Sequence, residues 1–148
     1  MEVAYAFLAR GGEFAPDGTL SVFGGDFTTI HGWVFPLHVP SLTVIAKLLF
    51  QREDCGRQYE VKVELVGEDN ANLAPEIRQE LDVPVPADPE KKIRLNLAVM
   101  LTGLQFPRAG KYRARLLLSG EEVRSMKFEL VQLTAPEPAT VQPTKQGD

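Results

Sequence analysis

Over several stretches of this chain every second residue is apolar, and glycine, proline and short polar clusters separate those stretches. Alternation of that kind marks a strand with one buried and one wet face, so it restricts the chain to sheet architectures more tightly than any other feature. Tyr59, Val61, Val63 and Leu65 share one face, with Glu60, Lys62 and Glu64 on the other. Ile93, Leu95, Leu97, Val99 and Leu101 repeat the pattern opposite Arg94, Asn96, Ala98 and Met100; Tyr112, Ala114, Leu116 and Leu118 do so opposite Lys111, Arg113 and Arg115. Met126, Phe128 and Leu130 then point inward again, which makes Ser119-Gly120-Glu121-Glu122 a hairpin loop. Earlier strand-like runs cover 3–9, 20–23, 27–35 and 42–50, with a Pro16/Gly18 turn, Gly24-Gly25, the stretch Pro36 to Pro40 and Asp54-Cys55-Gly56 as separators. The segment from Asn72 to Leu81 has the length of a short helix, but Pro75 and the alternation of Ile77, Gln79, Leu81 and Val83 predict an edge strand.

Two-stranded ribbons cannot bury such faces alone. Eight or nine strands of this kind predict an all-β fold, a two-sheet antiparallel β-sandwich, immunoglobulin-like or related. A chain of 148 residues fits one domain. Residues 1–133 are assigned to the sandwich, and 134–148, with three prolines and no apolar run, to a disordered tail. The apolar run at the N-terminus lacks a basic flank and is read as a first strand, not a leader. No stretch reaches the length of apolar sequence that crosses a bilayer, so no membrane is expected among the partners. Cys55 is the one cysteine, which rules out an intramolecular disulfide and, with it, favours a reducing, cytoplasmic compartment.

The segments from Met1 to Ala9, from Pro16 to Gly25 and from Gly110 through Tyr112 to Leu130 resemble a family of small bacterial single-domain proteins of unknown function. The similarity extends over nearly everything before the tail. It implies a compact domain whose shared motifs are turn glycines and buried alternations, with no catalytic residue to carry over. Gly110-Lys111-Tyr112-Arg113, followed by a hairpin, is also similar to the penultimate strand of immunoglobulin-like sandwiches, although the cysteine pair of antibody domains is missing.

Metal ligation and hydrolysis leave no recognisable signature. His31 and His38 stand seven apart around a Pro-containing stretch, a spacing that suits no strand or helix ligand pair, and the aspartates are scattered among separate turns. No nucleophile elbow, phosphate loop or dinucleotide fingerprint occurs. No metal, cofactor or catalytic residue is therefore assigned.

Charge is distributed unevenly. Residues 1–89 carry six Lys and Arg against fourteen acids, and residues 90–130 carry nine against four. Intramolecular pairing of Glu60-Lys62-Glu64 with Arg113 and Arg115 accounts for this asymmetry, whereas a stripe of Lys91, Lys92, Arg94, Arg108, Lys111, Arg113 and Arg115 would suit a polyanion. The stripe lacks interleaved aromatics, and the expectation is no nucleic acid among the partners.

The stretch from His31 to Pro40 is unusually apolar for a connection and holds the one tryptophan. Trp33 and Phe35, on one face of a strand, either plug an end of the sandwich or expose an aromatic patch at which a partner docks. His31, Trp33, Phe35 and His38 are accordingly the candidate binding residues. Two functions stay open: a non-enzymatic interaction module with an unknown protein partner or self-association, and a small enzyme that uses His31 or His38 as acid or base.

Overall fold

The structure is a computed structural model that describes residues 1–134. The tail expected over 134–148 lies outside the described residues, Thr134 excepted. Among the described residues nine strands follow in chain order: β1 (Glu2–Phe14), β2 (Leu20–Gly25), β3 (Thr29–Gly32), β4 (Leu37–Phe50), β5 (Arg57–Gly67), β6 (Ile77–Val83), β7 (Ile93–Phe106), β8 (Gly110–Leu118) and β9 (Glu121–Gln132). Among the described residues the only helical element is one 3-10 turn, Arg52–Asp54. The fold is all-β, in two sheets ordered β2-β1-β4-β7 and β3-β9-β8-β5-β6. Among the described residues no helix is long and apolar enough to cross a membrane.

The alternations resolve into faces as the sequence predicts. Val61, Val63 and Leu65 of β5, Leu97, Val99 and Leu101 of β7, Ala114 and Leu116 of β8, and Met126, Phe128 and Leu130 of β9 are buried. Side chains from both sheets belong to one apolar cluster, and an aromatic knot ties the sheets together. Phe106 of β7 meets Tyr112 of β8 edge-on at 5.0 Å and Phe128 of β9 at 5.9 Å between centroids. Burying such a ring stabilises the fold by about 1.5–3 kcal/mol, and an edge-on pair adds about 0.5–1.5 kcal/mol. The hairpin after β8 closes through Ser119 (φ 48°) and Gly120 (φ 87°). Two consecutive positive φ values give the turn whose twist matches that of its strands.

Several elements depart from the sequence reading. One pair is not antiparallel: β3 runs parallel to β9, with Thr29 beside Glu129 and Gly32 beside Gln132. The run 27–35 contributes only the four residues of β3, because Phe27 turns in against Phe128 and the chain leaves the sheet after Gly32. Pro40, placed among the separators, lies inside β4. A proline has no N–H to give a ladder, and its position in the β4–β7 pairing coincides with Gly103 (φ 63°), where the ladder is interrupted.

The β1–β2 hairpin does more than extend the four-stranded sheet. Its ladder skips Arg10 and Gly24 (φ 58°), and beyond that point the hairpin lies over the outer face of its own sheet. Gly12 comes so close to Ile45 of β4 that a Cβ there would stand 3.1 Å from Cδ1, and the turn glycine Gly18 reaches Asn96 of β7. β1 consequently touches β7 although β4 lies between them. This cover explains why Thr43 and Ile45, which point away from the central cluster, are buried.

Candidate functional site

The structure distributes the four candidate residues of the 31–40 stretch over β3, β4 and the loop between them. His31 is exposed on β3, at the edge of the five-stranded sheet, where it pairs with Val131. His38 is exposed on β4 of the other sheet, opposite Gln105. The two imidazoles thus lie on strands of different sheets and share no ladder. Phe35 is half-buried and packs against the core cluster. Trp33 does not share that environment: it is 59% exposed, and its neighbour Val34 is 70% exposed.

The geometry of this projection follows from its flanks. Gly32 is buried, and a Cβ on it would lie 2.8 Å from both Leu37 methyls, so the chain folds back on itself there with Leu37 seated against Gly32. Leu133 N–H donates to the Gly32 carbonyl at 2.8 Å. Phe35 and Leu37 anchor one side of the loop in the core and the β3–β9 ladder anchors the other. Between these anchors Trp33 and Val34 stand in solvent. The alternation that sets Trp33 on one face with Phe35 holds only within a strand, and β3 ends at Gly32.

A second feature lies on the outer face of β8 and β9. A groove of about 680 Å³ is lined by Thr28, Gly67, Glu68, Asn70, Lys111, Arg113, Lys127 and Glu129, with Tyr112 and Phe128 at its floor. The β5–β6 connection is clamped to one wall: Glu68 Oε1 accepts the Lys111 backbone N–H at 2.9 Å, and Asn70 Oδ1 accepts from Arg113 Nη2 at 2.9 Å. Asn70 takes φ 60°, a left-handed conformation that asparagine tolerates better than most residues. The Tyr112 hydroxyl donates to the Arg108 carbonyl, and burial pushes its pKa up. Glu68, Asn70, Thr28 and Lys127 were not singled out in the sequence, since they come from separate segments; the Asp69-Asn70 pair signals a turn there, not what the turn grips.

Charge pairing on this face follows the sequence reading in part. Glu64 of β5 lies opposite Arg115 of β8, and Arg115 bridges Glu64 at 2.7 Å and Glu122 at 2.6 Å. Lys62 bridges Glu64 at 2.9 Å and Glu76 at 3.0 Å. Lys127 instead stands directly across from Arg113, a like-charge pair. Among the described residues neither Lys111 nor Lys127 forms an ion pair. Intramolecular pairing therefore consumes only part of the basic stripe. The described residues contain no cluster of three or more potential metal ligands.

Comparison with known proteins gives a family and little beyond it. No curated protein matches the chain. Among solved structures, one that it resembles is the Pseudomonas fluorescens alkylpurine DNA glycosylase AlkC bound to DNA containing an abasic site analog. The identity is 12% and the TM-score 0.46, over 70% of this chain and 27% of that one. The chain thus spans little more than a quarter of that protein's length. The expected exclusion of nucleic acid is corrected on this finding, because the protein found similar is one held on DNA. Among the described residues only Arg113 and Arg115 of the basic stripe form ion pairs, so intramolecular pairing does not account for its other five members. The model of a family of unknown function, DUF6941, matches residues 4–131, nearly the whole of the described chain, and this protein belongs to that family.

Proposed function

We propose that residues 1–133 form a single non-enzymatic interaction module of a reducing, cytoplasmic compartment, and that a protein partner docks on the loop carrying Trp33 and Val34. One observation carries this reading: the lone tryptophan is 59% exposed beside a 70% exposed valine, on a loop whose two flanks are anchored. Tryptophan is enriched among the residues that dominate binding energy, and a loop already held in place loses little further entropy on binding. Phe35 supports the loop from the core side, while His31 and His38 lie on the strands that flank it. The framework is a sandwich related to the immunoglobulin type. The bond from the Tyr112 hydroxyl back to the Arg108 carbonyl supports that kinship, since a tyrosine at the start of a late strand closes the corner of such domains in the same way.

Trp33→Ala tests the assignment. In the free wild-type protein Trp33 emission is expected to be red-shifted and readily quenched by iodide. The substitution is expected to change unfolding stability by less than about 0.5 kcal/mol, as for other surface positions. Affinity capture from the native cells, with wild type and Trp33→Ala as paired baits, should show a partner lost by the variant. An unchanged partner set overturns the reading, and a stability loss of about 3–5 kcal/mol would return Trp33 to the core.

A further inference from the structure

Four strands end the two sheets, and three of those edges are protected in recognisable ways. An unpaired strand edge is a template for another strand, and proteins blunt it by shortness, charge, proline or irregularity. β3 has only four residues. β6 carries Arg78, Glu80 and Asp82 on seven residues, between Pro75 and Pro84. β2 has six residues and breaks its ladder at Gly24. β7 is different: it has fourteen residues, its stretch from Ile93 to Thr102 alternates without interruption, and that stretch holds one charge, Arg94, and no proline. Among the described residues nothing pairs with β7 on the side away from β4. Its outward side chains include exposed Ala98 and Met100, the latter 58% exposed.

We propose that β7 pairs antiparallel with β7 of a second copy, joining two four-stranded sheets into one continuous sheet across a two-fold axis at Ala98. The occupant is a second copy because the edge complements itself. Antiparallel pairing puts facing residues on the same side of the sheet, so the two-fold must pass through a residue and not between residues. With the axis at Ala98, buried Leu97 faces Val99 of the second copy, exposed Asn96 faces its Met100, and Ala98 faces Ala98. Apolar core positions then meet apolar ones, and Arg94 meets Thr102, so no like charges oppose each other. An axis shifted by two residues, to Asn96, would set Arg94 against Ala98 and leave Met100 and Leu101 near the end of the ladder. The pairing joins strand edges over little area, so dissociation in the micromolar range or weaker is expected. This surface is separate from the Trp33 loop.

Sedimentation velocity on the full chain, diluted from hundreds of micromolar to sub-micromolar, is expected to show a dimer that dissociates. Ala98→Lys sets two ammonium groups opposite each other and should shift the dissociation midpoint at least tenfold while circular dichroism stays unchanged. Ala98→Cys in a Cys55→Ser background should give a disulfide-linked dimer under mild oxidation, and Met100→Cys in the same background should not, because Met100 faces Asn96. Should Ala98→Lys fail to fold, this cysteine pair alone decides the matter. A wild-type protein monomeric throughout overturns the proposal, whether a peptide of another protein or residues 135–148 occupies the edge. So does a dimer that Trp33→Ala abolishes and Ala98→Lys does not, or equal cross-linking at both cysteines.

Discussion

Gly24 shows how much one residue without a side chain carries. It adopts φ 58° within β2, and a Cβ there would lie 2.9 Å from Cβ and 2.5 Å from Cγ of Arg10. Arg10 in turn sets its guanidinium 5.6 Å from the centroid of the Phe27 ring, which packs edge-on against Phe128. Gly24→Ala is therefore expected to cost at least about 1–2 kcal/mol from backbone conformation alone, with the displacement of Arg10 added. Chemical denaturation of the variant checks this, and a loss under a few tenths of a kcal/mol would mean that neither the backbone conformation nor the close approach to Arg10 constrains this position. The sequence marks Gly24-Gly25 as a separator, but both residues belong to β2, and Gly25 pairs with Ala9. What it does not convey is that the break lies between paired strands, because a local φ preference says nothing about what lies across the ladder. Trp33 is misplaced by the opposite error, an alternation carried one turn too far past the end of its strand.

Between elements, the β5–β6 pair hangs on ions as well as on its ladder. Glu76, just before β6, accepts from Lys62 of β5 at 3.0 Å and from Arg78 at 2.6 Å. Those two hydrogen bonds, that from Lys62 first, hold its carboxyl below the usual glutamate range. A carboxylate whose folded pKa is depressed contributes stability that is fully present above its unfolded pKa and is lost as pH falls through the folded value. Urea midpoints measured from neutral pH downward should thus fall through the acid range in the wild type. Glu76→Gln is expected to be less stable at neutral pH and to lose less on acidification; parallel curves for the two proteins would show that the bridge contributes nothing. β6 itself was legible, since Pro75 and the alternation after it argue for an edge strand. So were β5, β7, β8 and β9, whose inner faces are single-minded apolar rows. The outer half of β1 and the first residues of β4 were not, because glycines and a proline that usually end strands are here accommodated by Gly24 and Gly103 in the strands beside them.

For the molecule as a whole, alternation reports which face of a strand is wet and says nothing about which strand lies next to it. The partition into β2-β1-β4-β7 and β3-β9-β8-β5-β6 could not be read for that reason, nor could the groove on β8 and β9 that depends on it. Most of the close residue pairs join parts of the chain far apart in sequence. Chains dominated by such pairings fold slowly, so refolding from urea, followed by far-ultraviolet circular dichroism, is expected on the order of milliseconds to seconds. Completion within microseconds would contradict the topology. The parallel pairing of β3 with β9 gives this slowness a direction during synthesis. When Thr29 to Gly32 leave the ribosome, the segment they pair with, Glu129 to Gln132, has not yet been translated. A nascent chain can assemble β1, β2 and β4 early, yet Ile30, buried in the finished protein, has nowhere to go until the final strand emerges. Premature termination before that strand leaves a partly built domain with an open seam, the kind of surface that chaperones hold and proteases clear.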